Sequence, residues 1–104
     1  MSRFSKKRPN RQPTHPGEIL KRLWLDELGY TQSSFADALV NASHNKVKKS
    51  TMQTKLNELI HGRRSMSADF AVLISGVLGT SPRMWMNLQT NLDILHAEKD
   101  TDAA

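Results

Sequence analysis

Wound as a helix at about 100° per residue, the segment after Lys49 puts Met52, Leu56, Leu59 and Ile60 on one arc. Ser50, Thr54, Asn57, Glu58 and His61 lie across from it, with Gln53 at the edge near the segment's start. Short amide and hydroxyl side chains of this kind suit base edges: amides match adenine N6 and N7, and hydroxyls can donate or accept. An ordinary solvated helix more often carries Lys–Glu pairs on this face. Lys46, Lys48 and Lys49 precede the segment and Arg63 and Arg64 follow it. Cations at the ends would hold phosphates while neutral groups in the middle inspect bases. Taken alone, the pattern fits a polar solvated helix between basic loops equally well.

Other chemistry finds less support. Histidines stand at 15, 44, 61 and 96 without ligand spacing, and cysteine is absent. Disulfides, thiolate metal sites and cysteine nucleophiles are thereby excluded, and no metal or other cofactor is expected. Gly62-Arg63-Arg64 is too short for a phosphate-binding glycine loop. His44, His61 and the neighbouring lysines contain the acid and base a small ribonuclease would need. Basic helical DNA readers carry the same residue types, so no enzyme is expected. An interaction module that binds no DNA is a third reading.

The elements that must position these residues are all helical. Pro16 opens the first, with Ile19, Leu20, Leu23, Trp24 and Leu28 at three- and four-residue steps and Gly29 to end it. Thr31 caps a short second helix in which Phe35, Ala38 and Leu39 face inward. Residues 40–50 lose the periodicity and read as a loop. The third helix runs from about Met52 to a stop at Gly62. Ser67 caps a fourth, with Phe70, Leu73, Ile74, Val77 and Leu78 inward and Gly79 at its end. Ser81-Pro82 opens the fifth, striped by Trp85, Leu88, Leu92 and Leu95. Residues 98–104 are polar and acidic, and a frayed tail is expected there. The fold class is all-α, with five helices in one domain over residues 14–97.

The 104 residues carry a net charge of +5, distributed in blocks. Residues 1–12 carry +5, residues 13–45 carry −2, residues 46–64 carry +5 and residues 65–104 carry −3. Residues 1–13 read as a disordered basic arm, open between a solvated end and a second phosphate contact. No apolar stretch follows it, as a secretory signal would require. No run approaches the roughly 20 apolar residues of a membrane helix, so the expected location is the cytoplasm, at the nucleoid when bound to DNA.

His15-Pro16-Gly17-Glu18-Ile19-Leu20, followed by Leu25, Leu28-Gly29 and Thr31-Gln32, resembles the opening of the HigA/VapI-type antitoxins. These belong to the Cro/C1-type (XRE), lambda-repressor-like helix-turn-helix group. The likeness resumes at Gly62-Arg63-Arg64-Ser65-Met66-Ser67. It continues through Leu78-Gly79-Thr80-Ser81-Pro82-x-x-Trp85-x-Asn87-Leu88-Gln89-x-x-x-Asp93. The Ser-Pro-x-x-Trp-x-Asn-Leu-Gln stretch is its most specific element, because generic XRE domains lack it. Between Leu39 and Gly62 the chain is about ten residues longer than the family's tight turn would need. Either the turn is an enlarged basic loop at 40–50, or helix 3 starts earlier.

The resemblance implies a DNA-binding antitoxin that represses its own operon and sequesters a cognate toxin, itself a messenger-RNA-cleaving protein; a stand-alone XRE-type transcriptional regulator is the alternative. Gln53, Thr54 and Asn57 then stand at base-contacting positions of a reader spanning about residues 31–62. Gln32, Lys46, Lys48, Lys49, Lys55, Arg63 and Arg64 become phosphate contacts. Operator DNA, the toxin and a second copy of the chain are the implied partners. The homodimer surface would lie at Met84, Met86 and the outer edge of helix 5. Trp85 is expected to lock helix 5 onto helices 1 and 4.

Overall fold

Three consecutive segments, Pro16–Ile19, Leu20–Leu25 and Asp26–Leu28, form one continuous helix, α1, in the computed structural model, which describes residues 14–103. Four more helices follow: α2 (Gln32–Ala42), α3 (Lys49–Ile60), α4 (Ala68–Leu78) and α5 (Pro82–Ala103). No strand occurs among the described residues. Helix α2 packs on α3 and α4, α4 packs on α5, and the first turn of α1 reaches both α3 and α5. The arm expected at residues 1–13 lies outside the described residues.

One core holds the helices together. Leu20 and Leu25 of α1, Phe35, Ala36 and Leu39 of α2, and Met52, Leu56 and Leu59 of α3 are buried in it. Phe70, Ala71 and Ile74 of α4 and Trp85 of α5 complete it, with Met66 from the α3–α4 connection. Three expected inward positions differ. Ala36 is the fully buried alanine of α2, whereas Ala38 is half-buried. In α1, Leu23 and Leu28 are 59% and 57% exposed although both fell on the expected apolar stripe. The cause is a π-helical turn over Leu20–Leu25, whose backbone bonds span five residues, as from the Asp26 N–H to the Lys21 carbonyl. That pitch turns Leu20 and Leu25 to the core together and rotates Leu23 outward.

Gly29, Gly62 and Gly79 follow the ends of α1, α3 and α4 with φ near +75°, each at its expected stop. Helix α2 ends the same way without a glycine. The Asn45 N–H donates to the Val40 carbonyl at 3.0 Å and the His44 N–H to the Asn41 carbonyl at 3.0 Å. This is the Schellman pairing, with His44 (φ 57°) in the seat usually held by glycine. Asn45 is also left-handed, at φ 61°. The expected loop at 40–50 is therefore shorter than its sequence suggested. Helix α2 continues through Val40–Ala42, whose Val40 packs on the core, and α3 begins at Lys49. The extra length is divided between an extended α2, a six-residue turn at 43–48, and an early start of α3. A left-handed non-glycine residue costs about 1–2 kcal/mol, so His44→Gly is expected to stabilise the chain by about 1 kcal/mol. Thermal unfolding should show a midpoint raised by about 4–8 °C.

The fifth helix continues to Ala103, past the frayed end expected from residue 98. Its polar end supports itself locally, as where the Thr101 hydroxyl donates to the Ala97 carbonyl at 3.0 Å. Met84 and Met86 are half-buried against the core, and Ile94 is the large apolar group that stands out on α5, 52% exposed.

Candidate nucleic-acid interface

The polar residues of α3 reach solvent beside the N-terminus of α2 because of how that terminus is built. The Thr31 hydroxyl accepts from the Ser34 N–H at 2.9 Å, and the Ser34 hydroxyl accepts from the Thr31 N–H at 2.9 Å. This reciprocal cap fixes the first turn of α2 and leaves Gln32 and Ser33 facing α3. Gln32, Ser33, Ser50, Gln53, Thr54, Asn57, Glu58 and Arg63 line a broad open concavity of about 620 Å³. All three base-contact candidates and two phosphate candidates, Gln32 and Arg63, are thus on one surface.

Hydrogen bonds hold several of these groups in place. Ser33 Oγ accepts from Lys49 Nζ at 3.1 Å and from Gln53 Nε2 at 3.4 Å. Asn57 Oδ1 accepts from Arg63 Nη2 at 3.2 Å, so the Asn57 amide retains its NH₂ donors for another partner. The Thr54 hydroxyl donates to the Ser50 carbonyl at 3.0 Å, which keeps its oxygen as an acceptor. His61 Nδ1 lies 2.8 Å from the Asn57 carbonyl, tying the imidazole to its own helix end.

The expected cations are distributed unevenly. Lys46 and Lys48 are exposed in the turn before α3. Lys49 is paired with Asp37 at 2.8 Å, and Arg64 with Glu58 at 2.8 Å. Lys55 is not joined to the others, because it lies on the far side of α3 beside Met52, Phe70 and Leu73. Helical geometry demands this, since Lys55 is half a turn or so from Gln53. Ser33 was not singled out from the sequence. Its signal was the run of short polar residues, Thr31 to Ser34, at a helix start.

The first turn of α1 braces the same region. His15 Nδ1 accepts from the Gly17 N–H at 2.9 Å, and Pro16 occupies the first helical position. Burial holds the His15 pKa below its ordinary value of 6.5, with His96 acting in the same direction. A hydrogen bond to the Arg64 backbone and the carboxylates of Asp93 and Glu18 oppose the shift. The unfolded chain therefore binds the proton more readily than the folded one. Stability from this group is fully present above pH 6.5 and is lost as the pH falls below it. His15→Asn, which retains a capping acceptor, is expected to flatten that decline in urea titrations between pH 7 and pH 5. An unchanged slope would place the acid sensitivity elsewhere.

The most family-specific stretch turns out to serve packing. Gln89 is buried, its Oε1 accepting from the Met66 N–H at 2.7 Å and its Nε2 donating to Asp93 Oδ1 at 2.8 Å. Trp85 Nε1 donates to the Thr80 hydroxyl at 2.8 Å, and Trp85 meets Trp24 of α1 edge to face at 6.5 Å. Among the described residues no group of His, Asp and Glu is arranged to hold a metal, and no helix is long and apolar enough to cross a membrane.

No protein-family model matches the sequence. Virulence-associated protein I of Dichelobacter nodosus is 33% identical over 86 residues, covering 83% of this chain and 70% of that protein. A solved structure of antitoxin GraA is 35% identical, covers 88% of this chain and 87% of its own, and superposes with a TM-score of 0.70. The Pseudomonas aeruginosa antitoxin HigA, solved with the higBA promoter, is 32% identical at a TM-score of 0.71, covering 88% and 89%. Both solved structures are of antitoxins, and a further relative, 33% identical over 86% of this chain, is an HTH-type transcriptional regulator of Escherichia coli; none of these is an enzyme. On this identity, coverage and superposition, with the motifs at residues 15–32 and 62–93 in place, the chain belongs to the HigA/VapI-type antitoxins of the XRE helix-turn-helix family.

Proposed function

We propose that this protein is a DNA-binding antitoxin that represses its own operon as a homodimer and sequesters a cognate toxin. The observation that carries the reading is the concavity between α2 and α3, where Gln53, Thr54 and Asn57 lie together beside Gln32. Helix α3, about 18 Å long, enters a major groove, and its paired copy enters the next, about 34 Å away. Gln32, Lys46, Lys48, Lys49, Arg63 and Arg64 hold phosphates around it, with Lys55 the least favourably placed of the expected set. The likeness to an antitoxin solved with its promoter supports this docking. The dimer forms along the outer edge of α5, where Ile94 is exposed. The toxin is a messenger-RNA-cleaving protein whose gene adjoins this one, and neutralisation is a binding event.

Fluorescence anisotropy with the chain's own promoter duplex and a scrambled duplex tests the reading. Gln53→Ala or Asn57→Ala should reduce discrimination between the two by about 1–3 kcal/mol each. Because Arg63 also holds Asn57, the cleaner phosphate variant is Lys48→Ala. It should weaken both duplexes alike and make the salt slope shallower by about 0.9. Equal affinity of the wild-type chain for both duplexes would sink the sequence-reading assignment.

A further inference from the structure

A second depression, of about 210 Å³, is cut into the back of α3, away from the proposed DNA surface. Val47, Leu73 and the edges of Met52 and Phe70 form its apolar side, Ser65 and Ser67 line it with hydroxyls, and Lys55 and Arg64 supply two cations against one acid, Asp69. A depression with an apolar side and convergent polar groups can orient a small amphiphilic molecule. Its volume is below the roughly 300–1,000 Å³ of drug-sized pockets, which restricts the occupant to a single ring or a short chain. Lys55 enters no ion pair among the described residues. Arg64 is shared between two surfaces. Its Nε donates to Glu58 Oε1 at 2.9 Å, its Nη2 is ion-paired with the same oxygen at 2.8 Å, and Glu58 lines the reading concavity.

We propose that this depression binds a small amphiphilic monocarboxylate, and that its occupancy lowers affinity for DNA. The apolar body of the ligand rests on Met52, Phe70 and Leu73, while its carboxylate is held by Lys55 and Arg64. The lining's single excess positive charge matches one carboxylate, and Asp69 disfavours a second. The coupling to DNA rests on the function proposed above. A carboxylate that engages Arg64 draws the guanidinium from Glu58. The released Glu58 carboxylate then stands uncompensated among Gln53, Thr54 and Asn57, where it repels the phosphate backbone.

The site is tested without DNA by titrating phenylacetate into the full chain and following backbone amide resonances, with phenylacetamide as the uncharged control. Phenylacetate should shift Met52, Phe70 and Leu73 saturably at millimolar concentrations. Phenylacetamide, and phenylacetate on Lys55→Gln, should bind about tenfold more weakly for want of a charge-assisted bond. Absent shifts, shifts elsewhere, or equal affinity for acid and amide would overturn the site. Leu73→Trp, which fills the depression, should abolish the response, and the Lys55→Gln comparison stands if that variant does not fold. With promoter duplex present, saturating phenylacetate should raise the Kd about threefold, the loss of part of one phosphate contact. Binding of phenylacetate with unchanged Kd overturns the coupling. A chain that binds no promoter DNA removes the coupling together with the function it rests on, while the DNA-free titration still decides the site.

Discussion

Gly17→Ala is expected to lower stability by about 3 kcal/mol, at the upper end of what overpacking usually costs. The first turn of α1 lies directly on the C-terminal end of α3. A Cβ at residue 17 would stand 1.8 Å from the Leu59 carbonyl oxygen and 2.5 Å from its carbon. Both are backbone atoms inside a helix, so no side chain can swing aside to make room. The helices must separate, and His15, which caps this turn, must move with them. Thermal unfolding followed by circular dichroism should show a midpoint about 10–20 °C lower. Gly76 in α4 supplies the control, because a Cβ there meets nothing within 4 Å. Gly76→Ala should raise stability by about 0.5–1 kcal/mol, since alanine loses less backbone entropy in a helix. Similar midpoints for the two variants would refute close approach as the reason for Gly17.

The contrast also shows which parts of the molecule a sequence can display. Helix existence and most helix ends were legible because they depend on neighbours: Pro16, Thr31, Ser67 and Pro82 open helices, and Gly29, Gly62 and Gly79 close them. The phase of α1 was not, because nothing in Leu20–Leu25 announces a π-helical turn, and so Leu23 and Leu28 were turned the wrong way. Val40–Ala42 resembles loop in sequence because its helix-supporting contact comes from the core rather than from local spacing. Gln89 was visible as a motif residue, but its partner, Met66, lies 23 positions away.

The candidate site divides along the same line. Gln53, Thr54 and Asn57 share a helix, so their common surface followed from spacing, and Gln32 joined them through the packing of α2 on α3. Charge alone did not say which side a lysine faces. Lys55 took the back of α3, and Lys49 and Arg64 found carboxylates whose pairing depends on tertiary placement. The central basic block is therefore less available to phosphates than its formal charge implies. Binding DNA must either keep these pairs or replace them.

Trp85→Ala is expected to remove about 3–5 kcal/mol, a large share of the roughly 5–15 kcal/mol typical of a folded domain. Trp85 is fully buried, and it joins α5 to α1 through Trp24. Its N–H joins the same helix to Thr80, whose hydroxyl in turn donates to Ser75 Oγ of α4 at 3.3 Å. Packing and hydrogen bonding can be separated by Trp85→Phe, which retains most of the apolar burial and an aromatic edge for Trp24 but has no donor. That variant should lose about 1–2 kcal/mol, the cost of one buried hydrogen bond with its acceptor left short of a partner. Urea unfolding read by circular dichroism gives both values, and Trp24 is then the sole tryptophan left to report by fluorescence. If packing dominates, the alanine variant is much the weaker of the two and its Trp24 emission shifts to the red. Equal losses would mean that the bond to Thr80, rather than the volume of the indole, fastens α5 to the domain.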